Sequence, residues 1–519
     1  MAGPDEPEIP AKGAERILAL ENGKSLTLRS GLRTGELFVK DKDLAKLHRT
    51  KLCGIPIGGS ATEINIPYYN ILWAGVFEGS GRDELVIDWA FEKSSTQFRP
   101  EKLRYDLRNV PRAKVDEWVN NLLRYSFSGA ERGRRAKVIV NPHAGPGNAV
   151  RVWEHEVKPL FEAARMELDI VTTSRPGEGT RICETLDISA YDVVVVCSGD
   201  GLAYEVFNGL GKRPDARTAL QKIAVAHIPC GSGNAMSCNL NGSCYPGPSA
   251  LAVIKGLRTP IDLMSITQNS YRMLSFLSQS VGIVAECDLG TEHMRWLGSK
   301  RFDIGIAQRI FSKKVYPCDI AIKVEIEGKD QIKAHYKQVH GQTRRIHPSD
   351  LMGGKTGAPL ITSDIQPGTD QGLPPLRFGT VNDPLPEDWQ VVSYDKLGNF
   401  YCGSMAWMAP NANFFPAACI NDGLMDVIIN DGDISPLKYI ELMTSVESNK
   451  HFDKPVLSYQ KVVAYRFTPR DQADGYISID GERILFEPFQ VEIHPGLGMV
   501  LSKNARYEAD GPPGWDKSE

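Results

Sequence analysis

Three glycine-rich turns hold the residue types best suited to chemistry here: Gly145-Pro146-Gly147, Ser198-Gly199-Asp200-Gly201 and Gly231-Ser232-Gly233-Asn234. Each follows an apolar run that reads as a strand, so each falls at a strand's carboxyl end, where open α/β sheets bind ligands. Glycine lets the backbone approach an anion closely, and a helix starting after the turn offers free N–H groups and a positive dipole end. One such turn is as readily a plain left-handed bend; three along one sheet edge point to a polyphosphate cradle. Asp200 lies between two glycines directly after a strand of four valines, where a carboxylate adds nothing to packing. An Asx-turn or a helix N-cap would use it. So would phosphoryl transfer, as general base for a hydroxyl attacking a γ-phosphate or as a partner of the accompanying Mg2+.

Two familiar phosphate motifs are missing. Gly145-x-Gly147 and Gly231-x-Gly233 lack the third glycine of the dinucleotide fingerprint, with Val150 and Met236 in its place. Gly354-Lys355-Thr356 mimics the end of a Walker A loop, but Ser349 replaces the first glycine and no strand precedes it.

The elements that must position the turns are legible as patterns. Lys137–Val140, Leu168–Thr172, Asp192–Cys197 and Lys222–Ile228 are short apolar strands separated by helical stretches at crossover length, which predicts an α/β domain with a parallel sheet over 131–258. Val150, Trp153, Val157, Leu160, Phe161 and Ala164 share a helix face, with Pro159 expected to kink it. Before this domain, residues 1–130 alternate short β-type runs with turns, a small β-rich accessory module of the pleckstrin-homology kind. After it, residues 259–510 are mostly β-type and predict an antiparallel β-sandwich. Between 341 and 388 stand seven prolines and seven glycines in 48 residues, a density expected of a disordered insertion.

At 519 residues, two or three domains are expected, and 42% apolar with 24% charged residues is an ordinary globular balance. A net charge of −4 predicts no general attraction to nucleic acid or anionic membrane, so any membrane contact needs a local patch. The ten cysteines form no CxxC pair and read as reduced thiols of a cytosolic protein. Neither a signal peptide, a lipidation motif nor an apolar run of about 18 residues is evident. The class expected is soluble, cytoplasmic and multidomain.

The stretches Ser198–Leu210 and Pro229–Ala235 resemble the catalytic signatures of sphingosine (long-chain base) kinases. That family belongs to the diacylglycerol-kinase superfamily, whose nucleotide domain resembles those of NAD kinase and phosphofructokinase. The resemblance implies Asp200 as general base, with ATP and Mg2+ as cofactors; the metal's protein ligands stay open, Asp200 among them. It places Asn141, Pro142, His143, Gly145, Gly147, Thr173, Ser198, Gly199, Gly201, Gly231, Ser232 and Gly233 around the nucleotide. Glu205 matches its ribose-side or metal-side acid, Arg295 and Arg301 its phosphate-binding arginines, and Asp480-Gly481-Glu482 a turn returning to the nucleotide. The first loop departs from the family, which usually carries a basic residue where this chain has His143, Pro146 and Asn148.

Ser278 and Asp288 match positions where the family hydrogen-bonds its lipid. A free sphingoid base carries an ammonium that a pocket carboxylate can pair with, whereas ceramide or diacylglycerol would leave Asp288 unpaired. Leu274, Phe276, Leu277, Phe302, Ile306, Met405, Trp407, Phe414 and Phe415 are candidate tail lining. Ile304, Ile310, Phe311, Lys313 and Lys314 form a candidate edge for transient membrane docking. The implied activity is phosphorylation of the primary hydroxyl of sphingoid bases. The alternatives are a ceramide or diacylglycerol kinase and a non-catalytic lipid or nucleotide sensor. The oligomeric state stays open, a homodimer included.

Overall fold

The computed structural model describes residues 16–29, 35–44, 51–52, 55–56, 62–79, 82–290, 314–344 and 372–515. It divides into two compact units, the first from the described part of Met1–Gly133 with Lys158–Met166, the second from the described parts of Arg134–Val157, Glu167–Ile346 and Gly357–Glu519.

In the first unit Arg16–Ala19, Ser25–Arg29, Glu36–Lys40 and Glu63–Pro67 form an antiparallel sheet in that order, and Ile71–Gly79, Arg82–Ser94 and Gln97–Asp106 form another. The helix Arg112–Phe127 follows, burying Val115, Trp118, Val119, Leu122 and Leu123 on one face, and it stops at Ser128 in the left-handed region.

In the second unit four parallel strands run Glu167–Thr172, Arg135–Val140, Val193–Ser198, Ala224–Pro229 across the sheet. They are parallel because each link is a helical crossover; Val193–Ser198 and Ala224–Pro229 are buried along their whole length because both faces are covered, whereas the edge strand Glu167–Thr172 is largely exposed. Val193 to Val196 are 0% exposed, and burying each valine is worth about 1.5–3 kcal/mol. The chain leaves Arg135–Val140 toward one side and later returns to the other. The switch point therefore lies between that strand and Val193–Ser198, and the first two glycine turns leave the sheet there.

The sheet continues beyond residue 258. Phe489–Ser502 joins Ala224–Pro229 in parallel through Val225 and Val500, and pairs antiparallel with Leu257–Gln268 and Ser458–Pro469. From it the order runs through Met425–Asp431, Leu397–Gly403 and Ser278–Gly282 to the hairpin Ile477–Ile479 and Glu482–Ile484. One hydrogen-bonded sheet thus carries a parallel half and an antiparallel half.

Two expectations are corrected. Of the expected disordered insertion, residues 341–344 belong to the helix Lys329–Arg344 and 372–388 forms a strap along the antiparallel half, while 345–371 lies outside the described residues. The N–H groups of Arg377 and Phe378 each donate at 3.0 Å to the buried Glu492 carboxylate. Val381 donates to Thr267 Oγ1 at 2.9 Å, and the Gln490 amide donates to the carbonyls of Phe378 and Gly379. Backbone bonding to inward-facing polar side chains needs no apolar run, so prolines and glycines are tolerated. The second correction concerns the thiols. Cys238 and Cys244 form a disulfide with Cα atoms 5.1 Å apart. Gly242, at φ 65°, turns the chain after the helix Ala235–Asn241 so that Cys244 returns to Cys238. Seven further cysteines among the described residues are buried and outside any disulfide.

The helix expected after Asn148 is interrupted by a π turn, Trp153–Val157, before Lys158–Ala163. Pro159 has no N–H for the turn before it. No described helix is long and apolar enough to cross a membrane.

Candidate active site

The three glycine turns meet. A Cβ on Gly231 would lie 2.4 Å from Gly199 Cα, and one on Gly145 would lie 2.5 Å from the Cys230 carbonyl oxygen. Gly145 also has φ 52°, a left-handed value that favours glycine. Asn141 shapes the first turn: its Oδ1 accepts the His143 N–H at 3.0 Å. Asn234 closes the third in the same way, accepting from Gly231 N and donating to Gly231 O, each at 2.8 Å.

Asp200 stands where these turns converge. Its Oδ2 accepts the Ala235 N–H and its Oδ1 the Met236 N–H, both at 2.9 Å, so it caps the helix Ala235–Asn241 from across the sheet edge. Two fixed N–H donors lock the carboxylate plane while 12% of the side chain stays exposed.

Two more acids act as braces. Glu205 accepts the N–H groups of Gly177 and Gly179 at 2.9 and 2.8 Å, holding the loop after Thr173. Glu205→Ala should leave those donors unmatched and raise the KM for ATP about tenfold, which steady-state kinetics at varied ATP will measure. Asp480, 3% exposed, accepts from Ser275 Oγ and from the N–H groups of Phe276, Leu277 and Ser278 at 2.6 to 3.1 Å. Burial pushes its carboxyl up to about 6, against four hydrogen bonds favouring the ionised form. Its carboxylate thus holds the Ser275–Ser278 turn.

A cavity of about 1050 Å³ opens over these loops. Among the described residues expected at the site, Asn141, His143, Gly145, Thr173, Ser198, Gly199, Asp200, Gly201, Glu205, Gly231, Ser232, Gly233, Ser278, Asp288, Asp480, Gly481 and Glu482 all line it, while Pro142 and Gly147 do not. Arg295 and Arg301 lie outside the described residues. Ser278 pairs with the buried Tyr401 hydroxyl, and Asp288, half-buried, accepts from Ser478 Oγ at 3.1 Å.

Of the candidate tail lining, Leu277 and Phe414 face the cavity. Leu274, Phe276, Met405 and Phe415 are packed in the core instead, and Trp407 packs against it. Phe302 and Ile306 lie outside the described residues. So does the candidate docking edge, apart from Lys314, which pairs with Glu286.

Several wall residues were missed from sequence. Ile440, Met443 and Val446 come from the helix Pro436–Glu447, whose apolar spacing was the available signal. Tyr401 and Ser478 carry none. Arg175 is the only arginine or lysine among the described wall residues, and it stands on the loop that Glu205 holds. One trio away from the cavity, His335, Cys419 and Asp422, brings potential metal ligands together, but the Lys461 ammonium already lies 3.3 Å from Asp422.

The chain is similar to several known proteins. Residues 135–266 match the diacylglycerol kinase catalytic domain, and residues 16–128 match a domain of unknown function. The chain is 34% identical over 431 residues to sphingoid long chain base kinase 5 of Saccharomyces cerevisiae, covering 76% of this chain but only 62% of that protein. It is 32% identical over 480 residues to sphingoid long chain base kinase 4 of Schizosaccharomyces pombe, covering 90% of this chain and 96% of that one. With sphingosine kinase 1 of Arabidopsis thaliana it shares 30% over 395 residues, 72% and 76% of the two chains. Identity at that level, sustained along nearly the whole fission-yeast protein, means that this chain belongs to the sphingoid long-chain-base kinase family.

Proposed function

We propose that the chain transfers the γ-phosphoryl group of ATP to the primary hydroxyl of a sphingoid base, with Asp200 as general base. The observation that carries this reading is one cavity holding the glycine cradle, Asp200 and Asp288 together, with an apolar wall from Leu277, Phe414 and the helix Pro436–Glu447. The glycine turns take the phosphates on backbone N–H groups. Arg175 supplies the charge that the first loop lacks. Mg2+ accompanying the triphosphate would neutralise phosphate charge. Asp200 receives the hydroxyl proton as the oxygen attacks phosphorus. Its carboxylate is already oriented by the N–H groups of Ala235 and Met236 before the step.

Asp288 favours a cationic headgroup. An ammonium would give its carboxylate a cationic partner that a ceramide amide cannot supply. Asp288→Asn should lower kcat/KM for sphinganine about tenfold or more and leave ceramide turnover as low as in the parent. An unchanged preference between the two would remove Asp288 from substrate choice. The broader test is a radiolabelled-ATP assay over sphingoid bases, ceramide and diacylglycerol; transfer to the neutral lipids alone would reject the sphingoid reading.

The antiparallel half of the sheet is then the lipid-holding half. The N-terminal unit is a pleckstrin-homology-type module, supported by its four-strand and three-strand sheets and closing helix. An amphiphilic substrate supports an enzyme that meets membrane surfaces transiently.

A further inference from the structure

His227 lies on the Ala224–Pro229 strand, 2% exposed, beneath the turn that bears Asp200. Its Nε2 is 2.8 Å from the Ser198 carbonyl oxygen. A carbonyl only accepts, so Nε2 carries the proton and Nδ1 presents a bare lone pair. Among the described residues nothing hydrogen-bonds Nδ1. The nearest charged group is Asp200, whose Oδ1 lies 3.8 Å away. Burial lowers the His227 pKa against the opposing pull of Asp200 and of the Ser198 carbonyl, which keeps the ring neutral. Two acceptors therefore face each other 3.8 Å apart.

We propose that His227 is a positioning residue for Asp200, whose Nδ1 gains its missing hydrogen bond when Asp200 takes the proton of the acceptor hydroxyl. The inference rests on Asp200 being the base. In that step the hydroxyl O–H bond breaks and its proton passes to the Asp200 carboxylate. The freed oxygen pair forms the bond to phosphorus as the bond to ADP breaks. A carboxyl proton on Oδ1 then points at Nδ1, and closing the gap by about 1 Å brings the pair into hydrogen-bond range. Before transfer the contact is lone pair against carboxylate; after it, the contact is a hydrogen bond. It favours the transition state over the ground state, which is what raises turnover. The same ring pins the Ser198 carbonyl through Nε2, so one side chain steadies both the backbone and the carboxylate of the turn.

The test is steady-state kinetics of the full chain on sphinganine. His227→Gln retains an N–H for Ser198 and an oxygen acceptor for Asp200, and should keep kcat within about threefold of the parent. His227→Leu fills the space with neither and should lower kcat about tenfold, with the KM for ATP within about twofold. His227→Met replaces it if the leucine variant does not purify folded; if both fail, a folded glutamine variant about tenfold or more slower than the parent overturns the proposal. Simple packing would shift the melting temperature and leave the kcat of folded protein intact. A folded leucine or methionine variant with parental kcat overturns the proposal, and so does a glutamine variant as slow as leucine. Asp200→Asn is run alongside: if it retains turnover, the general-base reading itself fails. If it is inactive while leucine matches the parent, only the role of His227 is lost.

Discussion

Asp200→Asn should cut turnover by about a thousandfold, in the middle of the range general-base catalysis supplies, while ATP affinity stays within about threefold. The geometry sets both halves of this expectation. Asparagine retains one oxygen for the N–H of Ala235 or Met236, so the helix behind the third turn keeps half its cap. The new NH2 must face the other donor, a mismatch costing about 1–3 kcal/mol locally and visible as a lower melting temperature. What the amide cannot do is accept the hydroxyl proton. Isothermal titration with ATP and a single-turnover assay on sphinganine separate the two effects. Turnover above a tenth of the parental rate would mean that the base lies elsewhere.

Gly231→Ala is the second large effect, and it acts without touching charge. The added methyl would sit 2.4 Å from Gly199 Cα, 3.0 Å from Gly199 N and 3.2 Å from Asn234 Oδ1. Two of these are backbone atoms, which cannot swing aside as a side-chain end can. The second and third turns must part by about 1 Å, a misplacement that can cost on the order of a hundredfold in rate, together with about 1–3 kcal/mol of overpacking. Nucleotide affinity should fall alongside turnover, which distinguishes this variant from Asp200→Asn. Parental ATP affinity would show that the turns do not need their close approach.

Much of the parallel half was legible because its signals are local. Three of its four strands run into glycine-rich turns, and the apolar run Val193–Cys197 reports burial on both faces within a few residues. Asp200 stood out because nothing local required a carboxylate there. The braces were not legible as braces. Glu205 bonds to Gly177 and Gly179, and Asp480 to Ser275–Ser278, segments about 26 and 200 positions away in the chain. Sequence placed both acids at the nucleotide through resemblance and left their partners unknown. The strap at 372–388 was misread for a related reason. Its order comes from Glu492, Gln490 and Thr267, which composition alone does not associate with it. The disulfide escaped because its six-residue separation resembles no common motif, and only the left-handed Gly242 closes it.

The strand Phe489–Ser502 has a consequence for biosynthesis. It is the neighbour of Ala224–Pro229 in the nucleotide half, yet the ribosome makes it more than 250 residues later. Until it emerges, the parallel sheet carries an open, apolar edge at Ala224–Pro229, a surface prone to wrong pairing. The nascent chain therefore holds all three glycine turns long before it can hold ATP firmly, and chaperone demand should peak in that interval. Stop codons upstream of residue 489 should yield aggregated protein rather than a stable nucleotide-binding fragment.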